Sequence, residues 1–240
     1  MEWFRDCNAG NDARVPVMKS SFTIPIAIIF GGIVVAGAVY FSLRHPSTSS
    51  EKGNPALVRP VASNDHILGN PAAPVVIVEY SDFDCEFCKG FHDTLHQIIA
   101  NGGVNGRVAW VFREFPLIEI HPSAFSHARA AECVAAVAGN DSFWKFSNAL
   151  FANQPVDPMR YGELARAAGV YDSNAFATCF ANASSTLDAR IAADRRNAMD
   201  IGARGTPYSL ILVAGKNPIV IDGAYSYDAV KELLDQALAK

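Results

Sequence analysis

The chain has 240 residues, a formal net charge of -4 and a hydrophobic fraction of 50%. This length accommodates one sizeable domain with additional segments, and the apolar fraction excludes a chain that is disordered throughout. Nucleic acid is excluded as a main partner, because binding to a phosphate backbone needs clustered Lys and Arg and the sequence has no long basic run.

An uncharged apolar segment runs from residue 20 to residue 43, between Lys19 and Arg44. About 20 apolar residues are enough for a helix to cross a bilayer, so this segment predicts a single transmembrane anchor that follows a short segment of residues 1–19. The alternative is a cleaved signal peptide with a small-residue site at Ala36-Gly37-Ala38, but the region before the apolar segment is long and carries acidic residues. Basic residues are nearly balanced on the two sides, so they do not fix the orientation.

Residues 44–63 are rich in Ser and Pro and lack apolar periodicity, which predicts a flexible linker. The folded domain is expected over residues 64–240. Alternating and apolar runs predict strands at 73–80, 107–115, 208–214 and 218–224, with a helix from about residue 85 to residue 100 after the first strand. Asp82 or Asp84 can cap that helix, and Ser226 or Asp228 can cap a final one.

Between about residue 117 and residue 203 the spacing of apolar residues predicts four or five helices and no strand. The order of elements is therefore β-α-β, a helical block and then β-β-α. This order predicts an α/β sheet domain with an all-helical insertion.

Cys85 and Cys88 form a Cys-x-x-Cys motif between the first predicted strand and its helix. At a helix start, the unpaired N–H groups and the helix dipole favour an anion, so the pKa of the first thiol falls and its thiolate becomes a nucleophile. The second thiol is one turn further and can attack a mixed disulfide formed at the first. The pattern favours a redox pair, with Cys85 as the exposed nucleophile and Cys88 as the buried resolving thiol.

Two other interpretations of these cysteines are a metal site and a pair of inert core thiols. Cys88, His92 and His96 share one helix face at four-residue spacing, but a structural zinc site usually has four ligands and a second Cys or His pair. Inert core thiols would not need the position between a strand and a helix. We expect no metal and no organic cofactor.

Glu79 and the Thr206-Pro207 dipeptide are the other candidate site residues. Glu79 interrupts an apolar strand six residues before Cys85, and a buried carboxyl there can accept and return a proton of the resolving thiol. The alternative is an edge strand with Glu79 in solvent. Thr206-Pro207 directly precedes a strand and can hold a cis peptide, although most X-Pro bonds are trans.

The segments VVIVEYSDFDCEFC, HARAAECVAA, SFWKFSNALFANQ, GTPYSLIL and IDGAYSYDAVKELL together resemble the DsbA-like thioredoxin-fold family over residues 64–239. The resemblance implies a thioredoxin fold with a helical insertion and a Cys-x-x-Cys disulfide that exchanges with client proteins outside the cytoplasm. It makes Cys85 the nucleophile, Cys88 the resolving cysteine, Glu79 the buried acid and Pro207 a cis-proline that faces the disulfide. Thr206 would then offer backbone hydrogen bonds to an extended client segment.

Two features depart from the strongly oxidising enterobacterial member of that family. The dipeptide between the cysteines is Glu86-Phe87 instead of Pro-His, so a cation is lost and a negative charge is gained near Cys85. Both changes raise the expected pKa of Cys85 and make the pair less oxidising than in that member. Thr206 before the proline is more similar to the isomerase-like branch, and the direction of electron flow is therefore open.

The remaining cysteines are Cys7, Cys133 and Cys179. Cys133 and Cys179 lie in two predicted helices of the insertion, and the resemblance implies a structural disulfide between them, the alternative being two small buried apolar residues. Cys7 precedes the apolar segment and would stay reduced on the cytoplasmic side. This division predicts a cytoplasmic N-terminus and an extracytoplasmic catalytic domain.

Together, these features predict a membrane-anchored thiol-disulfide oxidoreductase of the oxidase type that acts on extracytoplasmic client proteins with cysteines. A membrane redox partner would regenerate the active pair. The alternatives are an isomerase or reductase kept reduced by a membrane donor, and a client-binding chaperone that keeps the fold without catalysis.

Overall fold

A computed structural model describes residues 53–101, 105–182 and 186–239 of the chain. The predicted anchor at residues 20–43 and the segment of residues 1–19 lie outside the described residues. Within the described ranges, no helix combines the length and the apolarity that crossing a bilayer requires. The strands are β1 (His66–Gly69), β2 (Val75–Ser81), β3 (Val108–Glu114), β4 (Tyr208–Val213) and β5 (Ile219–Asp222). The α-helices are α1 (Glu86–Ala100), α2 (Ala124–Ala138), α3 (Asn140–Ala152), α4 (Tyr161–Ala167), α5 (Ser173–Asn182), α6 (Leu187–Asp200) and α7 (Tyr227–Leu238).

The five strands form one sheet in the order β1-β3-β2-β4-β5. The central strand β2 is parallel to β3 and antiparallel to β4, and the two outer strands are antiparallel to their neighbours. A parallel neighbour requires a crossover connection, which α1 supplies between β2 and β3. The apolar run of β2 is thus explained by its position between two strands and two packed faces.

The predicted order of elements agrees with the structure except at β1. Strand β1 is the first strand of the domain, and it pairs with β3 at the edge of the sheet, with Ile67 opposite Val111. Its four residues are too few to show an alternating pattern, so the sequence alone does not reveal the strand. It forms because β3 has a free edge with which it pairs. The domain therefore begins β-β-α-β.

The prediction that Asp82 or Asp84 caps the first helix is wrong. Cys85 occupies the N-cap position of α1. The Asp82 carboxylate instead accepts the backbone N–H groups of Asp84 at 2.8 Å and of Leu117 at 2.7 Å, and so fixes the loop before the helix. At the other end of the domain, the Ser226 hydroxyl caps α7 by accepting the Ala229 N–H at 3.4 Å, as predicted.

Helices α2–α6 lie between β3 and β4, where the sequence predicts the all-helical insertion. Cys133 in α2 and Cys179 in α5 form a disulfide with an S–S distance of 2.05 Å. Helices α2–α5 extend the large apolar core that covers one face of the sheet, which also contains Cys85 and Cys88. Helix α6 packs on the opposite face, where Ala198 and Ile201 join a smaller core.

The predicted flexible linker is too long at its C-terminal end, because residues 53–63 pack against the domain. Asn197 of α6 donates its side-chain N–H to the Leu57 carbonyl at 2.9 Å and accepts the Arg59 N–H at 3.0 Å. The buried Arg113 guanidinium binds the carbonyls of Arg59 at 3.1 Å and Pro60 at 3.2 Å. Buried polar groups need partners, and this segment supplies them to the second face of the sheet.

Candidate active site

Cys85 and Cys88 lie at the start of α1, directly after the loop that follows β2. Cys85 has an extended backbone at the N-cap, and its carbonyl accepts the Lys89 N–H as the first bond of the helix. Both thiols are free, with Cys88 fully buried and Cys85 only 6% exposed. The prediction of an exposed Cys85 is therefore wrong in degree, although Cys85 is the more accessible of the two.

Thr206 and Pro207 lie against the Cys85 thiol. The Thr206-Pro207 peptide bond is cis, and the Cys85 Sγ donates to the Thr206 carbonyl oxygen at 3.4 Å. Thr206 comes 121 positions after Cys85, and the two residues directly precede β4. The fold therefore brings the candidate residues of the two chain segments together, and this contact explains the small exposure of Cys85.

The two thiols are perturbed in opposite directions. A hydrogen bond from Cys88 lowers the pKa of Cys85 to about 6 against the opposing effect of burial, and Thr206 and the N–H groups of Cys88 and Phe87 add to the lowering. Burial raises the pKa of Cys88 well above its ordinary value, and the negative charges of Cys85 and Glu79 add to the rise. At neutral pH the pair therefore consists of a thiolate at Cys85 and a thiol at Cys88.

Glu79 is fully buried in the central strand and lies on the face of the sheet that carries the two cysteines. Its Oε2 accepts the Trp110 indole N–H at 2.9 Å, whereas its Oε1 has no hydrogen-bond partner among the described residues. Burial raises the pKa of Glu79 to about 8, opposed by Ser81 and Trp110 and assisted by the charge of Cys85. The alternative of an edge strand with Glu79 in solvent is wrong, because β2 has a partner on both sides.

A pair of acid–histidine contacts surrounds the loop before Cys85, and the sequence analysis missed both. His121 Nδ1 lies 2.9 Å from Asp82 Oδ2, and His127 Nε2 lies 2.9 Å from Asp84 Oδ1. Partial burial lowers the pKa of His121, but its hydrogen bond to Asp82, with the charges of Asp82 and Cys85, gives a net rise. The histidines come from the insertion, 39 residues or more after the acids, and no local pattern marks such pairing.

The predicted zinc alternative does not assemble. Among the described residues, no group of three or more His, Cys, Asp and Glu side chains is placed to hold one metal ion, so Cys88 does not join His92 and His96 in such a group.

Phe87, between the two cysteines, is 70% exposed and offers an apolar surface beside the thiol pair.

A family model described as thioredoxin matches residues 62–236. The chain belongs to the thioredoxin family. The predicted thioredoxin fold with a helical insertion is thus confirmed by the family match and by the structure.

Several known proteins of this thioredoxin type are similar to the chain. Disulfide bond formation protein D of Bacillus subtilis is 26% identical over 200 residues, which cover 80% of this chain and 86% of that protein. The crystal structure of the thiol-disulfide exchange protein alpha-DsbA2 of Wolbachia pipientis aligns with a TM-score of 0.61 at 19% identity, covering 71% of this chain and 85% of that one. The latter likeness concerns the fold alone. The predicted resemblance to DsbA-like proteins is confirmed by these relatives.

A different kind of relative is an antiporter that is longer than this chain. Na(+)/H(+) antiporter NhaA 1 of Mycolicibacterium vanbaalenii is 33% identical over 162 residues. The match covers 67% of this chain but only 24% of the antiporter. The chain thus spans about a quarter of that relative's length.

Proposed function

We propose that this thioredoxin-family chain is an extracytoplasmic thiol-disulfide oxidoreductase that forms disulfides in client proteins. The observation that supports this function is the pair of opposite pKa shifts at Cys85 and Cys88, next to the buried acid Glu79. A thiolate and a thiol one helical turn apart are the two reactive forms that disulfide exchange requires.

The reaction begins with the Cys85–Cys88 disulfide. A client thiolate attacks Cys85 Sγ, the Cys85–Cys88 bond breaks, and Cys88 leaves with the electron pair and takes a proton from Glu79. A second client thiolate then attacks the client sulfur of the mixed disulfide, and Cys85 leaves as a thiolate. The client loses two electrons and the Cys85–Cys88 pair gains them, so a separate oxidant must regenerate the pair.

The environment of Cys85 supports the oxidase direction. A thiol of low pKa is a good leaving group, and stabilisation of its thiolate stabilises the reduced pair, which makes the disulfide more oxidising. The Thr206 carbonyl oxygen lies 3.4 Å from Cys85 Sγ, where an extended client segment could bind the backbone beside the thiol. Phe87 adds an exposed apolar contact beside it. The name of the Bacillus subtilis relative, disulfide bond formation protein D, agrees with this direction.

The proposed location is the outer side of a cell membrane, with residues 20–43 as a single-pass anchor and the N-terminus in the cytoplasm. A disulfide between helices of the insertion suits an oxidising compartment. The oxidant that regenerates Cys85–Cys88 is then a membrane redox partner.

Trapping of the mixed disulfide tests this function. In Cys88→Ser the resolving thiol is absent, so a peptide with one cysteine that is presented as a disulfide should remain bound to Cys85, and the adduct is read by mass spectrometry without reduction. The matched variant Cys85→Ser should trap no peptide and should lose oxidation of a reduced client at least 100-fold. Full client folding by Cys85→Ser would instead support the chaperone alternative.

The equilibrium potential of the Cys85–Cys88 pair against glutathione decides the direction. A value toward the oxidising end, near about -120 mV, is expected for an oxidase, and a value near about -270 mV would favour a reductase.

A further inference from the structure

Two histidines and an asparagine meet at the surface of the domain, outside the contacts used for disulfide exchange. His92 and His96 are four residues apart on α1, and Asn148 comes from α3. The two imidazole Nε2 atoms are 3.1 Å apart, and Asn148 Oδ1 lies 2.7 Å from each of them. We call these three residues the His92–His96–Asn148 cluster.

The cluster cannot be satisfied by its own hydrogens. A neutral imidazole carries one N–H, and an amide oxygen only accepts. If both Nε2 atoms carry hydrogen, the two hydrogens face each other across 3.1 Å; if only one does, the other nitrogen directs a lone pair at Asn148 Oδ1 across 2.7 Å. If the Asn148 amide is turned so that its NH₂ group faces the histidines, its two N–H bonds point in divergent directions. The two imidazole Nε2 atoms, however, lie only 3.1 Å apart, so the two hydrogens cannot both point at them.

His92 is held in place beside its two neighbours. It is only 2% exposed, so solvent offers its Nε2 little alternative to Asn148 Oδ1 and His96 Nε2.

The surroundings allow an ion to enter. The three residues line a surface cavity together with Lys89, Asp93 and Gln97, and Asn148 is exposed. Lys89 and Asp93 bring one positive and one negative charge to this cavity, so the side chains that line it do not have a net positive charge that would repel a cation.

We propose that the His92–His96–Asn148 cluster binds one late first-row divalent metal ion through the two imidazole Nε2 atoms and Asn148 Oδ1, with water as the remaining ligands. Ligand atoms at right angles around such an ion, with bonds of about 2.05 Å, lie about 2.9 Å apart, which the observed separations bracket. Imidazole favours Zn²⁺, Ni²⁺ and Cu²⁺ over Mg²⁺ and Ca²⁺. This inference departs from our expectation of no metal, and it does not depend on the proposed function.

The site is expected to bind more weakly than one in which each histidine has a partner for its second ring nitrogen. When its Nε2 binds an ion, His92 must carry hydrogen on Nδ1, and Nδ1 is buried without a partner among the described residues. Metal-binding histidines usually donate this hydrogen to an acceptor, and loss of that contact weakens binding about 10- to 100-fold.

Calorimetric titration of the full, tag-free chain tests the site. The Cys85–Cys88 pair is first oxidised so that its thiols cannot bind the probe. Ni²⁺ and Zn²⁺ should each bind with a stoichiometry of one, and Mg²⁺ should not bind. His96→Gln should weaken Ni²⁺ binding at least tenfold, whereas His121→Gln, the same change at another partly exposed histidine, should leave it within twofold of the unmodified chain.

A gain of affinity tests the third ligand. Asn148→Asp replaces the amide oxygen by a carboxylate oxygen and should tighten Ni²⁺ binding about tenfold, because a negative ligand attracts the ion more strongly. Circular dichroism checks that the variants are folded; His96 and Asn148 are not fully buried, so both changes are expected to be tolerated. Absence of stoichiometric binding, unchanged affinity in His96→Gln or no gain in Asn148→Asp would overturn the proposal.

Discussion

Cys85 and Cys88 are one helical turn apart, yet their surroundings move the two pKa values in opposite directions. Cys85 is at the helix start, with N–H groups and a neighbouring thiol to stabilise its charge. Cys88 is buried one turn deeper, where burial and the charges of Cys85 and Glu79 outweigh the opposing hydrogen bond with Ser81. The asymmetry between the two thiols therefore follows from position along α1 and needs no positively charged side chain between the cysteines.

Glu79 is expected to carry the proton that Cys88 exchanges. Glu79→Gln keeps the shape of the side chain but removes its acid function, so opening of the Cys85–Cys88 disulfide by a client thiolate should slow about 10- to 100-fold. The rate in the unmodified protein should change with pH near the pKa of Glu79, about 8, and this step in the profile should vanish in Glu79→Gln. Stopped-flow measurement from pH 6 to pH 9 provides the profile.

Alkylation of Cys85 is the control for this variant, because its midpoint near pH 6 depends mainly on Cys88 and should shift little. Stability gives an independent readout. Because the pKa of Glu79 is raised from 4.5 to about 8 in the folded state, its contribution is complete below pH 4.5 and is lost as pH rises toward 8. Reduced Glu79→Gln should lack this loss of up to about 1.4 kcal/mol per pH unit. An unchanged rate profile and an unchanged stability profile would contradict the role.

At the scale of single residues, the sequence predicts which side chains matter better than it predicts their contacts. Cys85, Cys88 and Glu79 stand out because each is unusual for its local element, a thiol at a helix start or an acid in an apolar strand. Asp82 and His121 are ordinary residues of loops, and only the tertiary fold places them 2.9 Å apart. The small exposure of Cys85 likewise depends on Thr206, which lies far away in sequence.

At the scale of elements, the Cys133–Cys179 disulfide links α2 to α5 within the insertion. The double variant Cys133→Ala/Cys179→Ala should lose about 2–4 kcal/mol in free energy of unfolding, because the bridge closes a loop of sequence separation 46 and restricts the unfolded chain. Urea denaturation without reductant, compared at equal redox state of Cys85 and Cys88, measures the difference.

Reduction provides the matched comparison. Addition of dithiothreitol should lower the urea midpoint of the unmodified chain toward that of the double variant and should affect the double variant much less. Equal midpoints for the two proteins without reductant would show that the bridge does not stabilise the fold.

The elements that the sequence missed share a physical cause. Strand β1 and the docked residues 53–63 have little periodicity of their own, and they are ordered because Val111 and Arg113 of β3 offer them backbone pairing and hydrogen bonds. The predicted helix cap is wrong because Asp82 accepts the loop N–H groups of Asp84 and Leu117 instead of an N–H group of the helix. Long apolar elements such as β2 and α1, by contrast, carry their pattern locally.

At the scale of the whole molecule, the proposed topology places Cys7 and the catalytic domain on opposite sides of a membrane. In a Cys85→Ser/Cys88→Ser background, Cys133 and Cys179 are bridged, so Cys7 is the remaining cysteine of the sequence. In intact cells, a membrane-permeant maleimide should label it and an impermeant maleimide should not.

A cysteine on the domain surface is the matched control for this labelling. In Cys7→Ser/Ala214→Cys, made in the same background, the exposed position after β4 should react with both reagents. Labelling of Cys7 by the impermeant reagent would contradict a cytoplasmic N-terminus, and recovery of the chain in a soluble fraction would contradict the anchor.

The strand order has a consequence for synthesis on the ribosome. Strand β2 pairs with β4, which is translated only after the entire insertion, so the nascent chain exposes one unpaired edge of its central strand until the last segment emerges. Thr206, whose carbonyl lies against the Cys85 sulfur, belongs to that same late segment. The growing polypeptide therefore carries the Cys85 thiol without this cover while the 121 residues from Cys85 to Thr206 are translated, on the order of ten seconds at typical elongation rates, and during this interval the thiol is open to cross-linking with neighbouring chains.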